Sequence, residues 1–192
     1  MNIVQRIMKE AWQDDECFQD MYDFLGKYRD TVDEITLRSG TINYRAYETL
    51  ETIRQECSLL KTRMDRLRAA GFKSVGINVL VTLGHIDETA GPNVGPFHKI
   101  VGYRGDTSAA CCCPTHEDFL AFTEEKYRSY ARTNPDFLWV DDDIKLFWNG
   151  VQFGCFCSNC LARFNRQYGT AYIRESLVAD MEIPDNTLVR SR

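Results

Sequence analysis

The run Lys73–Leu83, KSVGINVLVTL, constrains the fold more than any other stretch of the chain. It is almost continuously apolar and rich in β-branched residues. Runs of this kind form strands buried on both faces, as in parallel sheets covered by helices. A helix of the required kind lies directly upstream. Tyr44–Ala70 spaces Leu50, Ile53, Cys57, Leu60, Met64 and Leu67 by three or four, and Gly71 follows where a helix C-cap belongs. Parallel strands need crossover connections, so strands and helices should alternate along the chain.

They do. Asp15–Tyr28 has helical spacing at Phe18, Met21, Tyr22, Phe24 and Leu25, with Gly26 near its end. Thr31–Arg38, TVDEITLR, reads as a strand ended by Ser39-Gly40. Pro114–Thr133 reads as a helix capped by Thr115. Asp136–Ile144 reads as the third strand, followed by helices over Ser158–Tyr168 and Ala171–Met181. Between the second strand and the third helix, Gly84–Cys113 reads as a long irregular segment of the kind that carries function.

Alternation of this type predicts the α/β class, with parallel strands and right-handed crossovers. The expected layout is a helical segment over 1–30, an α/β domain over 31–183 and a tail over 184–192. A chain of 192 residues buries a real core. About three strands are few, however, and a complete eightfold barrel takes about 250 residues. The fold is therefore either a small open sheet or the first part of a (β/α)8 TIM-type barrel.

Charge and cysteine content narrow the partners. Lys plus Arg is 23 against 28 for Asp plus Glu, a net −5 without a basic cluster, so nucleic acid is not an expected partner. The basic residues of Arg54–Arg68 are interleaved with Glu51, Glu56 and Asp65 and read as a solvated helix face. No run has the apolar length of a membrane helix. The opening MNIVQRIMKEAWQDDECF is not patterned like a secretory signal, so a cytoplasmic location is expected. Eight cysteines in such a compartment point to metal or catalysis rather than to disulfides. Cys17 and Cys57 sit within helical patterns and read as small buried hydrophobes.

The chemistry concentrates at Phe137–Cys160, FLWVDDDIKLFWNGVQFGCFCSNC. An apolar strand ends in Asp141, Asp142 and Asp143. Parallel α/β folds bind ligands at the carboxyl ends of their strands. The other two ends carry Arg38 and His85, and Trp148 lies in the loop after the acids. Arg38, His85, Asp141, Asp142, Asp143 and Trp148 are thus the candidate substrate-binding residues. Neighbouring carboxylates repel, which raises one pKa and suits it to proton donation. Asp141 and Asp143, on one face by strand alternation, are the catalytic candidates. Trp139, inside the strand, reads as core. Cys155, Cys157 and Cys160 form a C-x-C-x-x-C array that suits zinc, with a fourth thiolate from Cys111, Cys112 or Cys113. Cys113, beside Pro114, is the favoured partner, and a site closed by four thiolates is structural.

Several of these stretches resemble bacterial glycosidase-like proteins related to the family 42 glycoside hydrolases, the β-galactosidase group. The resemblance rests on AAGFKSVGINVLVTLGH at Ala69–His85, CPTHEDF at Cys113–Phe119, PDFLWVDDDIKL at Pro135–Leu146, FGCFCSNCLARFN at Phe153–Asn165 and RESLVADM at Arg174–Met181. It implies a (β/α)8 barrel that cleaves glycosidic bonds by a retaining, two-carboxylate mechanism. It implies structural zinc on Cys113, Cys155, Cys157 and Cys160. In that family the acid/base and the nucleophile follow the fourth and seventh strands. With three strands counted here, neither role falls on a residue of this chain. The expectation is an N-terminal barrel portion, inactive alone, that contributes sugar-binding groups and a zinc staple. Its partners would be a carbohydrate substrate and either further copies or a C-terminal barrel half. Two rival readings stand beside it: a non-catalytic zinc-stabilised module that binds carbohydrate or protein, and a metal-dependent hydrolase using the aspartates and His85.

Overall fold

In the computed structural model of the chain, the residues described are 2–40, 47–84, 95–141, 144, 146 and 151–190. Two sheets organise them. Strands β1 (Val4–Ile7), β2 (Glu34–Arg38), β3 (Ser74–Val79) and β6 (Leu138–Val140) form a four-stranded sheet in the order β1-β2-β3-β6, with every pairing parallel. Strands β4 (Lys99–Val101) and β5 (Thr107–Cys112) form an antiparallel pair. The principal helices are α1 (Asp15–Gly26), α2 (Leu50–Ala69), α3 (Glu117–Ala131), α4 (Ser158–Tyr168) and α5 (Arg174–Glu182).

The parallel sheet sorts its side chains by alternation. Ile7, Ile35, Leu37, Val75, Ile77 and Val79 share one face by register. They form one buried cluster with Phe18 and Leu25 of α1, Ile53, Leu60, Met64 and Leu67 of α2, and Tyr130 of α3. The three helices therefore bury their apolar stripes on this face. The opposite face carries Arg6, Thr36, Arg38, Asn78 and Trp139 at matching register positions. Gly76 lies on that face by register, and a Cβ there would lie 2.6 Å from the Phe137 ring and from the Phe137 carbonyl oxygen.

Local chemistry sets several helix ends. Asp14 caps α1 by accepting from the Glu16 and Cys17 amides, and Thr49 caps α2 by accepting from the Thr52 amide. Gly169 ends α4 at φ 63°, in the left-handed region that glycine adopts at least cost.

Several expectations change. The segment 1–30, read as helical, opens with a strand. Only four residues long and half polar, VQRI is too short to show a period; its place beside β2 is set by the sheet. The parallel sheet consequently has four strands rather than about three, and the aspartate run follows the fourth. Gly84–Cys113 contains the β4–β5 pair, hidden in sequence because TSAACC is built from small residues. Cys17 is exposed, whereas Cys57 is buried as expected. Trp139 is 41% exposed rather than core, because β6 is an edge strand. The charges of α2 are not all solvated: Glu56 and Arg63 are buried. Arg63 donates to the Trp12 carbonyl oxygen at 2.9 Å and to Asp15 at 2.6 Å. Among the described residues, no helix is long and apolar enough to cross a membrane.

Candidate functional site

The thiol cluster is assembled by three segments. Cys113 directly follows β5, Cys155 and Cys157 precede α4, and Cys160 lies in its first turn. Their sulfur atoms all lie within 4.8 Å of one another. Cys113 Sγ is 3.6 Å from both Cys157 Sγ and Cys160 Sγ. A tetrahedron with metal–sulfur bonds near 2.3 Å has S···S edges of about 3.8 Å, so this group fits one four-coordinate ion. Of the three candidate partners for the C-x-C-x-x-C array, Cys113 is the one brought in. Cys111 instead donates to the Gly84 carbonyl oxygen, and Cys112 lies 3.6 Å from Lys99 Nζ.

Backbone amides point at the sulfurs, as thiolates require. The Val101 amide donates to Cys155 Sγ at 3.3 Å, and the Cys160 amide donates to Cys157 Sγ at 3.4 Å. Cys157 is the N-cap of α4, where amide donors favour negative charge. Thr115, expected to cap α3, is diverted here. Its hydroxyl lies 3.1 Å from Cys160 Sγ and 3.3 Å from Cys113 Sγ, and His116 takes the cap position without a side-chain bond. The thiols also hydrogen-bond one another. Hydrogen bonds from Cys155 and Cys160 hold the Cys113 thiol well below its usual range. Donating to Cys113 pushes Cys155 up to about 12 and raises Cys160 as well. A cation would remove that competition.

The cluster also ties loops to strand ends. Gly102 bridges Gly154, the Phe156 amide donates to the Val101 carbonyl oxygen at 2.7 Å, and Asn159 Nδ2 donates to the Thr115 carbonyl oxygen at 2.7 Å. On its other side, the Cys112 amide donates to the Leu83 carbonyl oxygen at 2.6 Å, just after β3. The centre therefore fastens the segment after β6 to the segment after β3.

The second feature is the carboxyl end of the parallel sheet. Arg38 ends β2 and is buried, with its guanidinium on Met8 Sδ at 3.5 Å. Asp141 follows β6, half-buried, and accepts from Arg6 of β1 at 3.1 Å. Its amide donates to the Val79 carbonyl oxygen at 3.2 Å, which prolongs the ladder by one residue. Asn78 Nδ2 donates to the Trp139 carbonyl oxygen at 3.2 Å. Thr36 Oγ1 and Asn78 Oδ1 are buried on this face with no hydrogen-bond partner among the described residues. His85, Asp142, Asp143 and Trp148 lie outside the described residues.

Sequence reasoning missed a charged group on the helix side of the same end. Glu56 Oε1 accepts from the Gly40 amide at 3.1 Å and from the Tyr130 hydroxyl at 3.3 Å, and Glu56 is ion-paired to Lys9. Lys126, buried, donates to the Leu80 and Val81 carbonyl oxygens at 2.7 and 2.9 Å. Burial, then repulsion from Glu56, pushes the Glu48 carboxyl up to about 7. Interleaved charge on α2 gave no signal that Glu56 turns inward.

Comparisons with protein-family models, with curated proteins and with solved structures find no match to this chain.

Proposed function

We propose that the chain supplies the first four strand–helix units of a (β/α)8 glycoside hydrolase, with zinc as a structural cross-link in the thiol cluster. The observation that carries this reading is the strand order. It follows the chain without reversal, and α1 to α3 cover one face only. A doubly wound sheet reverses its order and takes helices on both faces. A barrel does neither.

Counting β1, the aspartate run follows the fourth strand, where the resembled glycosidases carry their acid/base. The reading therefore assigns Asp143 proton donation to the leaving oxygen and Asp141 the binding of substrate hydroxyls. Arg38, on the same sheet face as Arg6, is assigned ligand contact. The second carboxylate of a retaining pair would come from the seventh strand of the closed barrel. Zinc would cross-link the loops and take no part in the chemistry, since four thiolates leave it no open position.

The test measures hydrolysis of a panel of aryl glycosides by the closed barrel that contains this chain, together with calorimetric binding of cationic sugar mimics. Asp143→Ala should lower kcat/KM at least tenfold, and Asp141→Asn should weaken binding. A change in kcat/KM below about threefold, near 0.7 kcal/mol, removes Asp143 from the role. The runner-up is a carbohydrate-binding module without turnover, favoured by the exposed Trp139 ring at a strand end. Binding that survives Asp143→Ala, with no hydrolysis of any panel member, would select it.

A further inference from the structure

Each sulfur of the thiol cluster meets a hydrogen-bond donor, and the donors differ in kind. Cys155 Sγ accepts from the Val101 amide at 3.3 Å and Cys157 Sγ from the Cys160 amide at 3.4 Å. Main-chain donors of this sort are set by the fold itself. Cys113 and Cys160 share a side-chain donor instead. The Thr115 hydroxyl lies 3.3 Å from Cys113 Sγ and 3.1 Å from Cys160 Sγ.

Asn159 fixes the direction of that hydroxyl. Its Nδ2 lies 2.7 Å from the Thr115 carbonyl oxygen and 3.2 Å from Thr115 Oγ1. A carbonyl oxygen can only accept, so the amide nitrogen of Asn159, and not its oxygen, faces Thr115. Thr115 Oγ1 therefore accepts from Asn159, and its own proton is left for sulfur. Thr115 is also released from the task its position in the sequence suggests. His116 is the N-cap of α3, and no side chain bonds there. Removing the Thr115 hydroxyl therefore costs α3 no cap.

We propose that Thr115, aimed by Asn159, is a positioning residue that steadies the charge on Cys113 and Cys160 and so shields a four-thiolate metal centre from electrophiles. The inference rests on the thiols binding a metal ion, as in the function proposed above. Four thiolates around a divalent cation leave negative charge in excess. A donor to the charged form stabilises it. The same hydrogen bond draws electron density from the sulfur, and a less basic thiolate is a weaker nucleophile. Cys160 is the sulfur at stake, because it is partly exposed whereas Cys113 and Cys157 are buried. Cys155 is partly exposed as well, but the Val101 amide guards it.

The test uses Co(II) as the metal probe and iodoacetamide as the electrophile. The Cys160 sulfur displaces iodide, an S–C bond replaces the C–I bond, and a chelating dye captures the cobalt that is lost. Thr115→Val keeps the shape of the side chain and removes the proton. It should bind one equivalent of Co(II) with affinity lowered at least about tenfold, and lose it about tenfold faster under iodoacetamide. Its sulfur-to-cobalt charge-transfer absorption should move to lower energy, a shift that a merely structural role would not produce. Of the four cluster thiols, Cys160 should be alkylated first. Thr115→Ser restores the hydroxyl and should return all of these readouts close to wild type. Asn159→Ala frees the hydroxyl to turn and should fall between wild type and Thr115→Val. Should Thr115→Val fail to fold, Asn159→Ala decides, and wild-type behaviour in it overturns the proposal. A folded Thr115→Val that matches wild type overturns it, as does a Thr115→Ser that behaves like Thr115→Val, or first alkylation at another of the four. Those outcomes leave metal binding standing, whereas a wild-type protein that takes up no cobalt overturns both.

Discussion

Arg6 Nη2 donates to Asp141 Oδ2 at 3.1 Å, joining the first strand of the parallel sheet to the end of the fourth. Three strand spacings, about 14 Å in a flat sheet, separate those strands. The contact spans the whole polar face and fixes the acid that begins the aspartate run. Both side chains are partly exposed, at 38% and 22%. Arg6→Met should therefore cost no more than about 1 kcal/mol in chemical denaturation. It should still weaken any ligand that Asp141 binds. A loss of several kcal/mol would mean that the guanidinium supports the fold itself.

The thiol centre should bind one metal ion per chain and bind it more tightly as pH rises. Cys155, pushed up to about 12, and the raised Cys160 are protonated near neutrality without metal. Binding must displace those protons, so affinity falls with falling pH, by at least about tenfold per unit. Competition with a chelating dye at pH 6 and pH 8 measures this. Cys157→Ser should lower the bound metal well below one equivalent, whereas Asp141→Asn should leave it unchanged.

Metal removal should loosen the loops and spare the parallel sheet. The sheet core is a separate cluster from the small ones around Ile100, Cys111 and Val151 and around Leu83, Cys112 and Phe119. Chelation should expose 95–113 and 151–160 to protease and to hydrogen exchange, while β2 and β3 remain protected. Uniform loss of protection would show that the metal holds the whole domain.

Glu48 should make stability fall as pH rises. Its folded carboxyl is raised to about 7 by burial and by Glu56, partly offset by Lys9 and Lys126. The folded state therefore holds a proton that the unfolded state releases above about pH 4.5. The favourable contribution is complete below that value and lost on passing pH 7, amounting to roughly 3 kcal/mol. Glu48→Gln should flatten this part of the stability profile. An unchanged slope would assign it to another group.

Gly76→Ala should destabilise by about 1–3 kcal/mol, because the new methyl would meet a backbone oxygen as well as the Phe137 ring at 2.6 Å. A neutral result would mean that the β3–β6 pairing relaxes freely.

The sequence by itself determined the elements whose signals are local. The apolar run at β3, the spacing of α2 and the left-handed Gly169 after α4 follow from side chains a few residues apart. The C-x-C-x-x-C array was legible for the same reason, since its three thiols are carried by one turn and a helix start. Tertiary structure decided what depends on distant partners. β1 is a strand because β2 supplies its hydrogen bonds, and adding it makes the aspartate strand the fourth. Cys113 rather than Cys111 or Cys112 joins the thiols because β5 delivers it to α4. Glu56 turns inward because Lys9, Gly40 and Tyr130 meet it there. Short-range periodicity records which residues avoid water. Which groups meet across the sheet is set by register and crossover, and no single segment carries that information.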